Sequence, residues 1–97
     1  MPGLDQIIHQ EARLRIMAAL AALDPEDQLD FRTLARALGL TDGNLGSHLQ
    51  KLEEAGYIKL EKAFIDRKPR TYLAATREGR SKFAEHVQAL RRIVDGF

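Results

Sequence analysis

The stretch "DFRTLARALGLTDGNLGSHLQKLEEAGYI", Asp30 to Ile58, constrains this chain more than any other part of it. It holds two helix-forming runs, each with a capping residue in front and a glycine behind. Asp30 is placed to cap "FRTLARAL", in which Phe31, Leu34 and Leu38 share a face and which Gly39 terminates. Thr41 caps a second helix that runs to about Ala55, with Gly56 as its stop. Along that second helix Leu45, Leu49 and Leu52 fall within a narrow arc and must point into a core. A short helix, a Gly39-Leu40-Thr41 turn and a second helix make helix-turn-helix geometry.

The arc opposite the leucines is exposed and carries Gly43, Ser47, Gln50, Lys51 and Glu54, with Asn44 and His48 on one flank. Its small and amide-bearing residues gather in the first two turns, the part of such a helix that enters a DNA major groove. Asn44 and Gln50 can pair with an adenine edge, Ser47 can bond a base or a phosphate, and His48 and Lys51 can reach phosphates. Gly43 lets backbone approach closely. The helix N-terminus adds N–H donors and positive potential, which Asp42 partly opposes. Asp42 reads as a first-turn stabiliser, and Glu53 and Glu54 as a solvated face. For His48, beside the leucine stripe, a packing role and a DNA contact both stay open.

The flanking sequence completes one domain over residues 1–97. From about Asp5 to Leu23 the chain lacks Pro and Gly and is rich in Ala, Leu, Arg and Glu, which predicts a helix ending before "DPEDQ". Ile58 to about Ala63 and Arg70 to Ala75 alternate apolar and polar residues around "FIDRKP", which predicts a β-hairpin. Thr76 with Glu78 opens a last helix that runs to the terminus. The order is helix, helix, helix, strand, strand, helix, a mainly α fold with a small β-hairpin. Formal net charge is only +1, from 15 basic and 14 acidic residues, so the distribution of charge decides what the surface can bind. Between Lys59 and Arg70 stand Lys59, Lys62, Arg67, Lys68 and Arg70 against Glu61 and Asp66. Directly after a helix-turn-helix, such a patch reads as a wing that touches DNA backbone or minor groove.

Composition removes competing classes. There is no cysteine, hence no disulfide framework, thiolate metal site or thiol nucleophile, and the chain suits a reducing cytoplasm. The longest apolar run, "IMAALAAL", is far short of the ~20 residues of a membrane span. No glycine-rich phosphate loop, HExxH or G-x-S-x-G motif is present, the carboxylates define no acid and base pair, and no cofactor is called for, so an enzyme is not expected. His9 and His86 show no paired metal-ligand spacing and read as solvent-facing or interfacial.

The sequence resembles winged-helix transcriptional regulators of the MarR and ArsR kind, most closely the short single-domain winged-helix regulators of bacteria and archaea. The resemblance rests on "HQEARLRIMAAL", on Asp30 to Ile58, on "KPRTYLAATREGRSKF" and on the closing helix. It implies a dimeric DNA-binding repressor or activator, with Thr41, Gly43, Asn44, Ser47, His48 and Lys51 at the groove and Arg67, Lys68 and Arg70 in the wing. Two departures stand out. The ArsR-like pattern carries a serine where this chain has Gly46, and the cysteine clusters of metal-sensing members are missing, so thiolate metal sensing is not implied.

A domain of 97 residues buries only roughly 60 to 65% of its unfolded surface, which makes a second copy useful. Phe83, Val87, Leu90, Val94 and Phe97 are spaced four, three, four and three apart, as in an a/d seam. Leu4, Ile7 and Ile8, early in the first helix, are expected to join that seam because Leu4 and Ile8 point away from the arc of Leu14, Met17 and Ala21. The expected assembly is a homodimer on double-stranded DNA, its recognition helices one turn, ~34 Å, apart over a pseudo-palindromic operator. Ligand sensing at the dimer interface is compatible with this, although nothing in the sequence names a small-molecule effector. The alternative is a winged helix used for protein association, which has no need of Lys62, Arg67, Lys68 and Arg70 together and would carry large apolar anchors in place of Gly43, Asn44 and Ser47.

Overall fold

Each helix of the computed structural model, which describes residues 4–96, starts at a side-chain cap that the sequence supplies. Gln10 caps α1 (Glu11–Ala21), Asp30 caps α2 (Phe31–Leu38), Thr41 caps α3 (Asp42–Glu54) and Thr76 caps α4 (Arg77–Val94), each side chain accepting from the amide three residues on. Between them lie β1 (Leu29–Asp30), β2 (Ile58–Ile65) and β3 (Lys68–Ala75). Left-handed Gly39 closes α2, with φ of 67°. The three caps expected from the sequence are in place.

The first helix departs from its expected extent. It begins at Glu11, and residues 6–10 form a separate turn. Asp5 caps that turn, its carboxylate accepting from the amides of Ile7 (2.8 Å) and Ile8 (3.1 Å) and its carbonyl from His9 (2.8 Å). Gln10 is extended, so the helical phase of α1 does not carry back to Ile8. As a result Ile8 is fully buried in the domain's own core and is withdrawn from the expected partner-facing set.

Strands β2 and β3 pair antiparallel from Ile58 with Ala75 through Ile65 with Lys68. Only Asp66 and Arg67 remain as the turn, where a six-residue connection was expected. Both have positive φ, 52° and 65°, the sign pattern of a type I′ turn whose twist matches that of the strands. A two-residue loop makes Ile65 and Lys68 a hydrogen-bonded pair, so Phe64 and Pro69 form the next, non-hydrogen-bonded pair. Pro69 therefore forfeits no ladder bond to β2. The short β1 joins the other edge of β3, Leu29 opposite Leu73, giving the order β1-β3-β2. Two residues are too few for any periodicity, and no sequence pattern marks this strand.

The core lies between the helices and the base of the hairpin. Ile16, Met17 and Leu20 of α1, Leu34 of α2, the Leu45, Leu49 and Leu52 stripe of α3, and Leu73 of β3 are all buried. After β3, Thr76 returns to the start of β2, its amide donating to the Tyr57 carbonyl (2.9 Å) and its hydroxyl to that of Gly56 (2.6 Å). This junction fixes the base of the hairpin against the end of α3 and the start of α4.

Candidate nucleic-acid interface

Burial of Leu45, Leu49 and Leu52 leaves Thr41, Gly43, Asn44, Ser47 and Lys51 exposed along the opposite side of α3. The Thr41 hydroxyl is occupied in capping the Asn44 amide at 3.1 Å, so its service is to set the start of the helix. Gly43 and Gly46 have open space where a Cβ would stand, so packing within the chain requires neither glycine. Gln50 is tied along the helix to Glu54 at 3.2 Å.

His48 is half-buried, with Nδ1 3.4 Å from a guanidinium nitrogen of Arg13, itself anchored by Nε donating to the Ile7 carbonyl. Burial, then the charges of Arg13 and Lys51, holds the imidazole below its ordinary range. A guanidinium can only donate, so Nδ1 is the acceptor and the proton of the neutral ring sits on Nε2. The ring thus brings a neutral donor to this face and not a positive charge.

The hairpin carries Lys62, Arg67, Lys68 and Arg70, all exposed. Arg70 stands 3.9 Å from one carboxylate oxygen of Asp30, whose other oxygen caps α2 through the Thr33 amide. This contact brings the hairpin against the first turn of α2, and there Arg32, Lys68, Pro69 and Arg70 line a basic cleft of about 190 Å³. Arg32 also borders a second cleft, about 530 Å³, with Arg36, Gly39 and Asp42 at the corner of the helix-turn-helix. Sequence reasoning missed both α2 arginines. Their signal was an i, i+4 basic pair opposite Leu34, on a helix whose apolar face alone drew the argument.

Arg32 of α2 thus borders both a cleft with Lys68 and Arg70 and one that reaches Asp42 at the start of α3. Guanidinium and ammonium donors near a helix N-terminus with small side chains have the chemistry to meet a polyanion. Among the described residues no group of three or more His, Cys, Asp or Glu could hold a metal ion, and no helix is long and apolar enough to cross a membrane.

A second polar group lies apart from this surface. His86, expected at the surface or an interface, is fully buried, and its Nδ1 accepts from the Asp5 amide at 3.0 Å. The Tyr57 hydroxyl donates to the Asp5 carboxylate. Burial, then the nearby His9, lowers the His86 pKa against the opposing pull of Asp5. The residues expected in a dimer seam are divided. Leu4, Ile7, Val87 and Leu90 are half-buried, with Ile7 packed on the core, and Val94 is 83% exposed. Phe83 leans on the core and borders a groove of about 400 Å³ with Ala18, Ala21 and Ala22 of the α1 side. Phe97 lies outside the described residues.

Comparison with known proteins agrees with this geometry. The family model described as a winged helix DNA-binding domain matches residues 12–94. An uncharacterized protein of Methanocaldococcus jannaschii is 33% identical over 88 residues, covering 91% of this chain and 92% of that protein. The solved structure of a transcriptional regulator homologue from Pyrococcus horikoshii OT3 superposes with a TM-score of 0.85 at 34% identity, covering 95% of this chain and 88% of that one. The crystal structure of NadR in complex with 4-hydroxyphenylacetate superposes with a TM-score of 0.74 at 29% identity, covering 97% of this chain and 64% of the other.

Proposed function

Because this chain belongs to the winged helix DNA-binding domain family, we propose that it regulates transcription as a homodimer that reads a pseudo-palindromic operator. The observation that carries the reading is the composition of one surface. The first two turns of α3 present Gly43, Asn44 and Ser47 with no large apolar anchor, beside a hairpin bearing Lys62, Arg67 and Lys68. Asn44 and Ser47 read base edges, Lys51, Lys62, Arg67 and Lys68 meet phosphates or the minor groove, and Arg70 follows through its contact with Asp30. His48 offers its Nε2 proton to a phosphate or a base.

The homodimer is supported by the apolar end of α4, where Ile93 and Val94 are 41% and 83% exposed beyond half-buried Val87 and Leu90. A small-molecule effector is supported by the ligand in the NadR neighbour, and its test is release of DNA by small organic acids, 4-hydroxyphenylacetate among them. Selection of bound sequences from random duplex DNA tests the main reading. The expected product is a two-fold symmetric site with half-sites about one helical turn apart. Recovery of no preferred sequence, together with pull-down of a folded partner through α3, would favour a protein-association module instead.

A further inference from the structure

Phe64 is 75% exposed, the most exposed aromatic among the described residues, and it stands at the tip of the most cationic segment of the chain. Nothing in the fold uses it. The face of β2 that turns Ile58 and Leu60 toward the core continues outward as Lys62 and then Phe64, past the last packed residue. Beyond β1 no third strand pairs with the hairpin, although the first turn of α2 lies against its β3 side at Arg70, and a two-stranded ribbon gains stability from any further surface it meets. Pro69 stands directly opposite Phe64 on the same face, Ile65, 42% exposed, turns to the other face beside Lys68, and Lys62 and Arg67 flank the tip.

The turn itself points the same way. Asn-Gly or Asp-Gly is the low-strain filling for two positive φ values, yet the second position here is Arg67 at 65°. A cation stands at the apex where glycine would fit with less strain. The flanking cations select a polyanion over a second copy of this basic tip, which would be repelled. An apolar side chain among cations is the composition of a minor-groove wedge, which unstacks a base step while its neighbours hold the phosphates.

We propose that Phe64, backed by Pro69, enters the minor groove beside Arg67 and kinks the duplex, giving this protein a DNA-bending activity. The inference rests on the DNA-binding reading above and adds to it a preference for deformable pyrimidine–purine steps under each hairpin tip, outside the bases read by α3.

The test uses the full chain and a duplex obtained by selection, labelled at its two ends for energy transfer. The wild-type protein shortens the end-to-end distance by a bend of ~20 to 90°. Phe64→Leu keeps a wedge and keeps the bend. Phe64→Ala leaves the duplex straight and binds about tenfold more weakly, with the slope of log K against log salt unchanged because every cation still meets its phosphate. A Phe64→Ala protein that bends and binds like wild type overturns the inference and leaves DNA binding standing. So does a Phe64→Ala protein whose sedimentation changes in the absence of DNA, which would make the tip a self-association surface. A wild-type protein that binds no duplex overturns the DNA-binding reading itself, and this inference with it.

Discussion

Gly79, in the first turn of α4, lies directly on the carbonyl of Tyr57: a Cβ on Gly79 would stand 2.0 Å from that oxygen and 2.7 Å from its carbon. The obstruction is backbone, which cannot swing aside. That carbonyl also accepts the Thr76 amide, so any shift that admits a side chain breaks the bond setting the hairpin base. Gly79→Ala is expected to destabilise the domain by about 3 kcal/mol, at the upper end of overpacking costs, as measured by urea unfolding. A loss under a few tenths would show that α4 docks on Tyr57 loosely.

The two glycines of α3 make the opposite prediction. Nothing stands within 4 Å of a Cβ at Gly43 or Gly46, so alanine at either should stabilise the helix, by up to about 1 kcal/mol each. On the proposed reading, in which the DNA backbone or a base edge enters that open space, Gly43→Ala should nonetheless weaken operator binding. Equal operator affinity for Gly43→Ala and wild type would remove close approach as the reason for that glycine.

Base reading and phosphate contact separate in salt. Asn44→Ala should cost ~1 to 3 kcal/mol on the operator and relax preference at one position per half-site, leaving non-specific binding nearly unchanged. Arg67→Gly relieves the turn while removing a charge, and with Lys68→Ala it should weaken binding to all sequences and lower the salt slope by about 1 for each phosphate no longer neutralised. Arg32→Ala should behave likewise. A salt slope that none of these changes would leave the basic surface a solvated bystander.

Stability should form a plateau bounded by two buried groups. The His86 pKa is lowered, so the unfolded chain takes up a proton near pH 6.5 that the folded chain resists, and stability falls as pH drops below about 6.5. His48, lowered as well, acts in the same window. Tyr57, pushed up to about 12 by burial and then by its hydrogen bond to Asp5, contributes stability that is full below about pH 10 and is lost as pH rises toward 12. Burial alone would raise Asp5, but the Tyr57 hydroxyl and the Ile8 and Ile7 amides bring it below its usual value, so its loss adds only below about pH 4. In urea unfolding from pH 5 to 11, His86→Gln should flatten the acid limb. An acid limb identical to wild type would assign the effect elsewhere.

Leu90 and Val94 carry the dimer prediction. Val94 is almost bare and Leu90 half-buried, so Val94→Glu alone should cost the free domain little, and with Leu90→Glu it should yield monomers by sedimentation. Such monomers should lose affinity for the full operator far more than for a half-site. A wild-type protein that sediments as a monomer at tens of micromolar would end this reading.

What the sequence disclosed came from local signals: the periodic leucine stripe of α3, the alternation of the two hairpin strands, and the polar caps at Asp30, Thr41 and Thr76. The hairpin stands where it was expected, with a connection of two residues in place of six. The start of α1 was hidden because residues 5–10 contain no Gly or Pro to mark a boundary, and the break comes from the extended backbone of Gln10 between the turn capped by Asp5 and α1. His86 was expected to be solvent-facing or interfacial because its burial depends on that same turn folding back over α4. Arg32 and Arg36 became part of the candidate surface only when Arg70 reached Asp30 across a gap in sequence.

The two-residue turn at Asp66 and Arg67 has a consequence for how this hairpin can change over evolutionary time. Side chains alternate along the ribbon, and each residue added to both strands lengthens its reach by about 3.4 Å. One extra residue per strand would turn Phe64 to the opposite face, whereas two per strand would restore the face with a longer arm. The hairpin is a ruler marked in steps of two, and relatives that engage grooves of different depth should differ in hairpin length by even numbers of residues per strand.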